Sequence, residues 1–283
     1  MTYTKIGGRV GFREKDHTYI HLDTGDRYTS VTTLIAKFKP KFNGEYWSLY
    51  KAIKDILEKK EKWHELKRAA GGWENAVNYF EKYYIDFTTL ESRKAIAERQ
   101  QWYLEKWENE RKIANEKGSK IHEDLENAFY HNKIIKEGHI NYKVSQESIL
   151  EIQDFNSNKS YPELLIYNDE YKISGQADIC NKEGRYLDIG DYKTYKKLDM
   201  EGFRGETLLK PLSHIPNSNY WTTALQLSMY GWMLEELGYI LRSLTMFWIH
   251  GKDALDTKRE AGVKSYAMPY LKEDVIRMLN YNQ

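Results

Sequence analysis

The sequence predicts an α/β protein, with a mixed β-sheet flanked by helices and a large helical portion towards the N-terminus. The stretch between Pro40 and Pro162 contains no proline and is rich in Glu, Lys, Ala and Leu, which favour helices. After Pro162 short apolar runs alternate with polar residues, which is typical of strands. The 283 residues, 41% apolar and 30% charged, suffice for one sizeable core.

The first forty residues predict a hairpin followed by a helix. Residues 9–31 alternate aromatic or β-branched side chains with polar ones around a Thr24-Gly25-Asp26 turn. Ser30 is the expected N-cap of a helix that begins at Val31. Helical composition then continues through residues 41–115.

The second half of the chain predicts a β-meander and two helices. Strands on either side of Asn168-Asp169 form a first hairpin, and a third strand follows a turn at residues 181–184. Leu225, Met229 and Leu237 recur at helical spacing. The remaining predicted elements are a helix at 219–239 that ends near Gly238, a strand at 243–251, and a helix from about 272.

Composition excludes several classes of protein. Cys180 is the single cysteine, so the chain cannot form an internal disulfide, a four-cysteine zinc site or an iron–sulfur cluster held by four cysteines. No window approaches the ~18 uninterrupted apolar residues of a membrane span. The N-terminus lacks an apolar signal region, and we therefore expect a cytoplasmic protein without membrane contact.

A net charge of +1 is small for a protein that coats nucleic acid. Binding to nucleic acid would therefore depend on local basic patches, for which residues 37–42, 59–68 and 193–197 are candidates. The patch at 59–68 has interleaved glutamates, which favours an ordinary solvated face.

Charged residues interrupt the third strand of the predicted meander at residues 188–193. Side chains alternate along a strand, so Asp191 and Lys193 share one face and Asp188 lies on the other. A turn of even length also places Asp178 on the face of Asp191. A turn of odd length, or a bulge, would pair it with Asp188 instead.

Two carboxylates and a lysine on one face suit a specific chemistry. Mg²⁺ binds one or two carboxylates together with waters and phosphate oxygens, and a nearby lysine can orient water or stabilise growing negative charge. The alternative is a cross-strand ion pair, worth less than ~1 kcal/mol if exposed. The aspartates and the lysine alone favour this alternative.

The surrounding residues resemble the PD-(D/E)XK nuclease superfamily, and within it the RecB-like exonuclease branch. The resemblance covers residues from about 16 to 240 in the order of the family. Runs such as YTSVTTLI and HIPNSNYW are similar to those of phage-encoded members. The matching motifs are G-x-x-D at Gly175 and Asp178, D-x-K at Asp191 and Lys193, G-x-x-x-H-x-x-x-E at Gly118, His122 and Glu126, and Q-x-x-x-Y at Gln226 and Tyr230.

This resemblance implies a metal-dependent deoxyribonuclease, acting as an exonuclease at DNA ends in recombination, repair or phage DNA processing. It implies one or two Mg²⁺ or Mn²⁺ ions held by His122, Asp178, Asp191 and the carbonyl of Tyr192. Lys193 would position and activate the attacking water. Gln226 and Tyr230 would edge the active site. The domain expected is a single nuclease domain, 1–283, with a helical portion at 41–115 and a catalytic core at 116–283.

The resemblance also suggests roles for six further residues. Glu126 and Glu163 are possible metal-site residues, and the DNA-binding candidates are Ser30, Thr32, Lys196 and Lys197. Each has an ordinary structural alternative. Ser30 can act as a helix cap alone, Glu163 can be a solvated glutamate, and Tyr230 can be a packing residue. His122 can be a boundary histidine at the edge of the apolar stripe formed by Ala114, Ile121, Leu125 and Phe129.

Two other functions fit the same residues. The fold can be a catalytically inactive module that binds DNA or a partner protein, or it can be a structure- or sequence-specific endonuclease. The sequence leaves the oligomeric state open. If the protein is phage-encoded, the expected location is the cytoplasm of the host.

Overall fold

A computed structural model describes residues 5–7, 9–13, 16–58, 61–130, 155–250 and 262–281. The protein has the predicted α/β architecture, in which helices accompany a mixed sheet. The described strands are β1 Lys5–Gly7, β2 Val10–Arg13, β3 Thr18–His21, β4 Arg27–Ser30, β5 Ser160–Asn168, β6 Ile173–Glu183, β7 Tyr186–Lys193, β8 Ile240–His250 and β9 Gly262–Ala267. The described helices are α1 Val31–Ala36, α2 Gly44–Glu58, α3 Lys62–Ala69, α4 Ala76–Phe87, α5 Leu90–Tyr130, α6 Asn219–Glu236 and α7 Lys272–Tyr281.

The chain divides into two compact units. One unit combines Met1–Pro40 with Lys117–Gln283, and the other is Lys41–Glu116. The helix α5 contributes residues to both. The division of the nuclease domain into a helical portion and a catalytic core stays a prediction.

The nine described strands form one sheet in the order β1-β2-β3-β4-β6-β7-β8-β9, with β5 on the free side of β6. The β4–β6 and β7–β8 pairs are parallel, and all other pairs are antiparallel. The first half of β6 pairs with β4, and its second half pairs with β7. As a result, the last residue of β7 that pairs with β6 is Gly190, and β7 then continues beside β8 to Lys193.

The hairpin between β6 and β7 sets the register of the charged strand. Glu183 pairs with Tyr186, so the turn consists of Gly184 and Arg185 alone. The predicted turn, residues 181–184, was longer and began earlier in the chain. Gly184 has a φ of 59°, a left-handed conformation that glycine adopts without strain. Because the turn has an even length, Asp178 and Asp191 come to the same face.

The helix α6 is the centre of the main core. Every residue from Thr222 to Leu234 is buried, because the helix packs against the sheet on one side and against α1 and α7 on others. The predicted apolar stripe is therefore only part of its buried surface, and Leu237, expected within that stripe, is 67% exposed beyond the end of the helix. Gly238 follows with a φ of 85°, which suits a helix C-terminus.

The regular alternation of β5 and β6 is interrupted at one level of the sheet. Gly175 lies against Tyr230 of α6, and Cys180 pairs with Ile189 in the same core. These two residues of β6 are five positions apart, and regular alternation would place them on opposite faces. On β5, Glu163 has a φ of 47°, unusual for a residue other than glycine. This interruption lies beside Asp178, where several polar side chains meet.

The unit Lys41–Glu116 has its own core. Ile53 and Leu57 of α2 pack with Trp63 and Leu66 of α3 and with Phe80 of α4. These apolar residues lie at helical spacing within a charged sequence. The sequence predicted helices here from its content of Glu, Lys, Ala and Leu, which favour helices. In the part of the chain that the structure describes, no helix is long and apolar enough to cross a membrane.

Two short strands, β1 and β9, were absent from the sequence prediction. Both lie at the ends of the strand order, and among the described residues β9 pairs with β8 alone. The residues of β9 are half-buried or exposed, so they lack the strong apolar alternation that identifies a strand. The predicted strand at 243–251 corresponds to β8, which starts three residues earlier.

The N-cap of α1 gives a first prediction. The Oγ of Ser30 accepts a hydrogen bond from the backbone N–H of Thr33 at 3.0 Å, as expected from the sequence. We expect Ser30→Ala to lower the free energy of unfolding by about 1 kcal/mol, measured by urea denaturation. Ser30→Asp should keep stability near the wild-type value, because aspartate also caps helices.

The Ser30→Asp variant separates capping from DNA contact. Its carboxylate repels phosphate, so a loss of DNA binding with intact stability would assign Ser30 a contact role as well. If Ser30→Ala unfolds at the wild-type urea concentration, the cap contributes nothing measurable and this account of α1 is wrong.

Candidate active site

Three polar side chains converge where β5 and β6 lose their regular alternation. The Nδ1 of His122 lies 3.4 Å from Asp178 Oδ1 and 3.7 Å from Glu163 Oε1. One potential ligand atom from each of the three residues lies within 4.8 Å of the other two. Helix α5 supplies the histidine, β5 the glutamate and β6 the aspartate.

A small cleft opens at this cluster. Its volume, counted as the space open to the centre of a water molecule, is about 20 Å³, enough for one water-sized occupant. Leu125, Pro162 and Ile179 form its apolar wall, and Tyr192 completes the lining beside the three polar residues.

The carboxylate of Asp178 is fixed from two sides. Its Oδ2 accepts a hydrogen bond from the backbone N–H of Tyr192 at 2.5 Å, and its Oδ1 faces His122. Burial raises the pKa of Asp178, but the neighbouring His122 and Lys193 outweigh burial and hold the pKa below its usual value. Asp178 is therefore an ionised, oriented ligand candidate.

The pKa of His122 reflects the carboxylates around it. Burial lowers this pKa, but Asp178 and Glu163 favour the positive imidazolium and raise the pKa to about 11. The cluster thus has an excess of negative charge that a cation can balance, either a proton on the histidine or a metal ion.

Asp191 is completely buried, with 0% exposure. Its Oδ2 lies 2.6 Å from the Nζ of Lys193, and its Oδ1 accepts a hydrogen bond from Gln226 Nε2 at 3.1 Å. Burial and the charge of Asp178 raise the pKa of Asp191 to about 6. Burial lowers the pKa of Lys193, but Asp191 and Asp178 outweigh it, so the net pKa rises and the ammonium stays charged at neutral pH.

The residues that the resemblance implies as metal ligands lie in two adjacent groups, and their role as ligands stays a prediction. Asp191 does not belong to the three-residue cluster, because its carboxylate is turned towards Lys193 and Gln226. Glu163 takes a place in the cluster and is mostly buried, so it is not the solvated glutamate considered from the sequence. The sequence could not predict this position of Glu163, because no simple sequence pattern indicates a left-handed backbone at a glutamate.

Gln226 and Tyr230 lie on one face of α6 and contact each other. The Nε2 of Gln226 donates to the Tyr230 hydroxyl at 3.2 Å as well as to Asp191. Tyr230 itself packs against the backbone of Gly175, where a Cβ atom would lie only 2.6 Å from the tyrosine ring. Both side chains are buried, so they position Asp191 from behind and do not line the cleft.

Asp188 lies on the opposite face from Asp191, as strand alternation predicts. Its carboxylate binds the guanidinium of Arg242 and accepts a hydrogen bond from the hydroxyl of Ser243 at 2.5 Å. The partner is an arginine on β8, because β7 and β8 pair in parallel at this level.

Helix α5 presents His122 at the edge of its buried stripe, since Ile121, His122 and Leu125 are all half-buried. The nearest atom to a Cβ at Gly118 is the Thr194 Oγ1, at an ordinary 3.6 Å, so no other backbone among the described residues approaches this glycine closely. The side chains of Glu126 and Phe129 lie outside the described residues.

The predicted DNA-binding residues occupy two places. Ser30 and Thr32 lie at the start of α1, where Ser30 pairs with Ser174 of β6. Lys196 and Lys197 are exposed just beyond β7, and Lys197 is ion-paired with Asp199. A DNA-binding role for any of the four stays a prediction.

Lys39 is a basic residue near the site that the motifs did not include. It is half-buried after α1, and burial together with the positive charge of Lys193 lowers its pKa. No carboxylate pairs with Lys39 among the residues that the structure describes. The basic patch at 37–42 was the signal in the sequence, but composition could not show which of its lysines faces Lys193.

The sequence matches no protein-family profile and no curated protein. Among solved structures, one described as the crystal structure of SSO0001 is similar at 16% identity and a TM-score of 0.24. The match covers 43% of this chain and 48% of that chain, so this chain spans about half the length of that structure. At this TM-score the likeness carries no argument about fold or function.

Two glycine substitutions test how the site is supported. We expect Gly175→Ala to lower the free energy of unfolding by about 1–3 kcal/mol, because its Cβ would overlap Tyr230 in a packed core. Gly118→Ala is the matched control, since its Cβ meets only ordinary contacts and alanine favours the helix by about 1 kcal/mol. Thermal unfolding of both variants measures the difference. Equal melting temperatures would contradict the packing described for Tyr230.

Proposed function

We propose that the protein is a metal-dependent deoxyribonuclease of the PD-(D/E)XK type, from the RecB-like exonuclease branch. The observation that carries the proposal is the buried Asp191–Lys193 pair beside the cluster of His122, Glu163 and Asp178. A buried carboxylate and ammonium are costly to desolvate, so their placement next to further carboxylates favours a functional site over an incidental ion pair.

The donor atoms of the cluster suit a divalent cation. Carboxylate oxygens are the usual protein ligands of Mg²⁺, and imidazole in addition suits Mn²⁺. The small cleft has room for one such ion or water. When bound, the ion polarises a phosphoryl oxygen and makes a water more acidic.

Side chains of the protein itself orient the water, the phosphate and the metal ligands. Lys193 carries a positive charge held by Asp191, so it can donate hydrogen bonds to a water or a phosphate oxygen but cannot act as a base at neutral pH. In this proposal Lys193 therefore does not remove a proton from the attacking water. Asp178 and Glu163 are oriented oxygen donors, and Gln226 holds Asp191 in place.

The proposed reaction is in-line displacement at a DNA phosphodiester, leaving a 5′-phosphate. Action at DNA ends rests on the resemblance of the motif order to the exonuclease branch. Mg²⁺ or Mn²⁺ is the expected cofactor, and single strands or duplex ends are the expected substrates.

A digestion assay tests the proposal directly. The wild-type protein should degrade end-labelled linear DNA in Mg²⁺ or Mn²⁺ but leave covalently closed circles intact. Lys193→Ala and Asp191→Ala should each lower the rate by at least about 100-fold, because each removes a group that acts on the developing charge or fixes one that does. Asp188→Asn is the matched control on the same strand and should retain most of the activity.

Three results would contradict parts of this proposal. Unchanged digestion by both alanine variants means that the site is elsewhere. Equal loss in Asp188→Asn and Asp191→Asn means that the strand register is wrong. Discrete fragments from circular DNA favour an endonuclease, and DNA binding without any cleavage favours an inactive nuclease-like module.

Metal binding can be measured without catalysis. Isothermal titration with Mn²⁺ should give a stoichiometric site in the wild-type protein. Asp178→Asn and His122→Ala should weaken its affinity by about 10- to 100-fold, since each removes a candidate ligand. Asp188→Asn should bind like the wild type. Affinity that is unchanged in both site variants would exclude this cluster as the metal site.

A further inference from the structure

Four aromatic rings form a continuous row in the helical unit Lys41–Glu116. The ring centroids of Trp102 and Tyr103 are 4.9 Å apart, those of Tyr103 and Trp107 are 5.7 Å apart, and those of Trp107 and Phe42 are 5.6 Å apart. Tyr103 and Trp107 lie one turn apart on α5, Trp102 immediately precedes Tyr103, and Phe42 precedes α2. We call these four residues the aromatic row.

The row is open to solvent. Phe42 is 69% exposed and Trp102 is 44% exposed, while Tyr103 and Trp107 between them are half-buried. Aromatic rings that serve the core of this unit are covered, as Trp63 is. An uncovered row of large rings marks a binding surface more often than a packing requirement.

Positive charges lie against the middle of the row. The Nζ of Lys51 lies 5.3 Å from the Tyr103 ring and 5.9 Å from the Trp107 ring. These distances are within the range of cation–π attraction.

Two further cations lie against the exposed end. The Nζ of Lys106 is 4.9 Å from the Trp102 ring, and the guanidinium carbon of Arg99 is 5.2 Å from it. Cations therefore accompany both the middle and one end of the row.

One nearby carboxylate, that of Asp55, is already engaged. Asp55 accepts a hydrogen bond from the Tyr103 hydroxyl at 2.7 Å and lies 3.9 Å from Arg99. Lys51 and Lys106 have no carboxylate partner within the described ranges. The surface therefore combines flat apolar rings with two lysines that have no ion-pair partner among the described residues.

We infer that the aromatic row, with Lys51 and Lys106, binds single-stranded DNA by stacking unpaired bases on its rings and pairing phosphates with its lysines. Single strands offer flat bases and regular negative charge together, which is the complement of this surface. The choice of DNA over other polyanions rests on the proposed nuclease function. The row belongs to the unit Lys41–Glu116 and the candidate active site to the other unit, and the row would hold substrate without taking part in cleavage.

Fluorescence anisotropy with a labelled oligo-dT of about 20 nucleotides tests this inference, using the full chain in EDTA so that no cleavage occurs. The double variant Phe42→Ala/Trp102→Ala should bind at least about tenfold more weakly, because it removes the two most accessible stacking faces. Lys51→Gln/Lys106→Gln should also weaken binding and should reduce its dependence on salt. Circular dichroism melts establish that each variant is folded.

The matched control is Ile85→Ala, which removes a 68% exposed apolar side chain from the same unit. It should bind as the wild type does. An oligomer of abasic sites should bind the wild type and the Phe42→Ala/Trp102→Ala variant equally, since it has no bases to stack.

The outcomes separate this inference from the proposed function. If the Phe42→Ala/Trp102→Ala variant is folded and binds oligo-dT as the wild type does, the inference is wrong, whatever the digestion assay gives. If Lys193→Ala digests DNA as fast as the wild type, the proposed active site is wrong, while the anisotropy result still decides whether the row binds DNA. Preferential binding of an acidic peptide over oligo-dT would overturn the inference in favour of a protein partner.

Discussion

The buried ion pair between Asp191 and Lys193 constrains the structure around the candidate site. A carboxylate that is wholly removed from water needs a counter-charge and hydrogen bonds, and here the ammonium of Lys193 and the amide of Gln226 supply them. Gln226 can reach Asp191 only because α6 is embedded against the sheet. Removing one partner would leave the other charged and unpaired in the core, so strand, helix and ion pair depend on one another.

The neighbouring cluster depends on a local departure from regular sheet geometry. Strands β5 and β6 pack side chains against α6 and also present Glu163 and Asp178 to His122. Strands that alternated regularly throughout could not meet both requirements. The left-handed φ of Glu163 is a local strain that the surrounding strands sustain. Strain of this kind gathers at functional sites, and here it directs two carboxylates to one histidine. The acidic cluster and the Asp191–Lys193 pair are thereby held side by side.

The sequence was sufficient where short-range rules apply. Alternation placed Asp188 opposite Asp191. The sequence left the parity of the turn open, and the two-residue turn at Gly184-Arg185 brings Asp178 to the face of Asp191. Capping chemistry identified Ser30. The sequence was insufficient where long-range packing decides: nothing in it located Lys39 near Lys193 or gave Glu163 its unusual backbone. The aromatic row also escaped prediction, because it joins Phe42 to rings far away in sequence.

The central claim is that these two neighbouring groups of buried charges form one metal-dependent catalytic centre. X-ray diffraction from crystals grown with Mn²⁺, recorded at the manganese absorption edge, tests it most directly. The account predicts an anomalous peak within about 2.0–2.4 Å of Asp178 and of at least one of His122, Glu163 and Asp191. A well-occupied manganese site elsewhere, with only water among these residues, would contradict it.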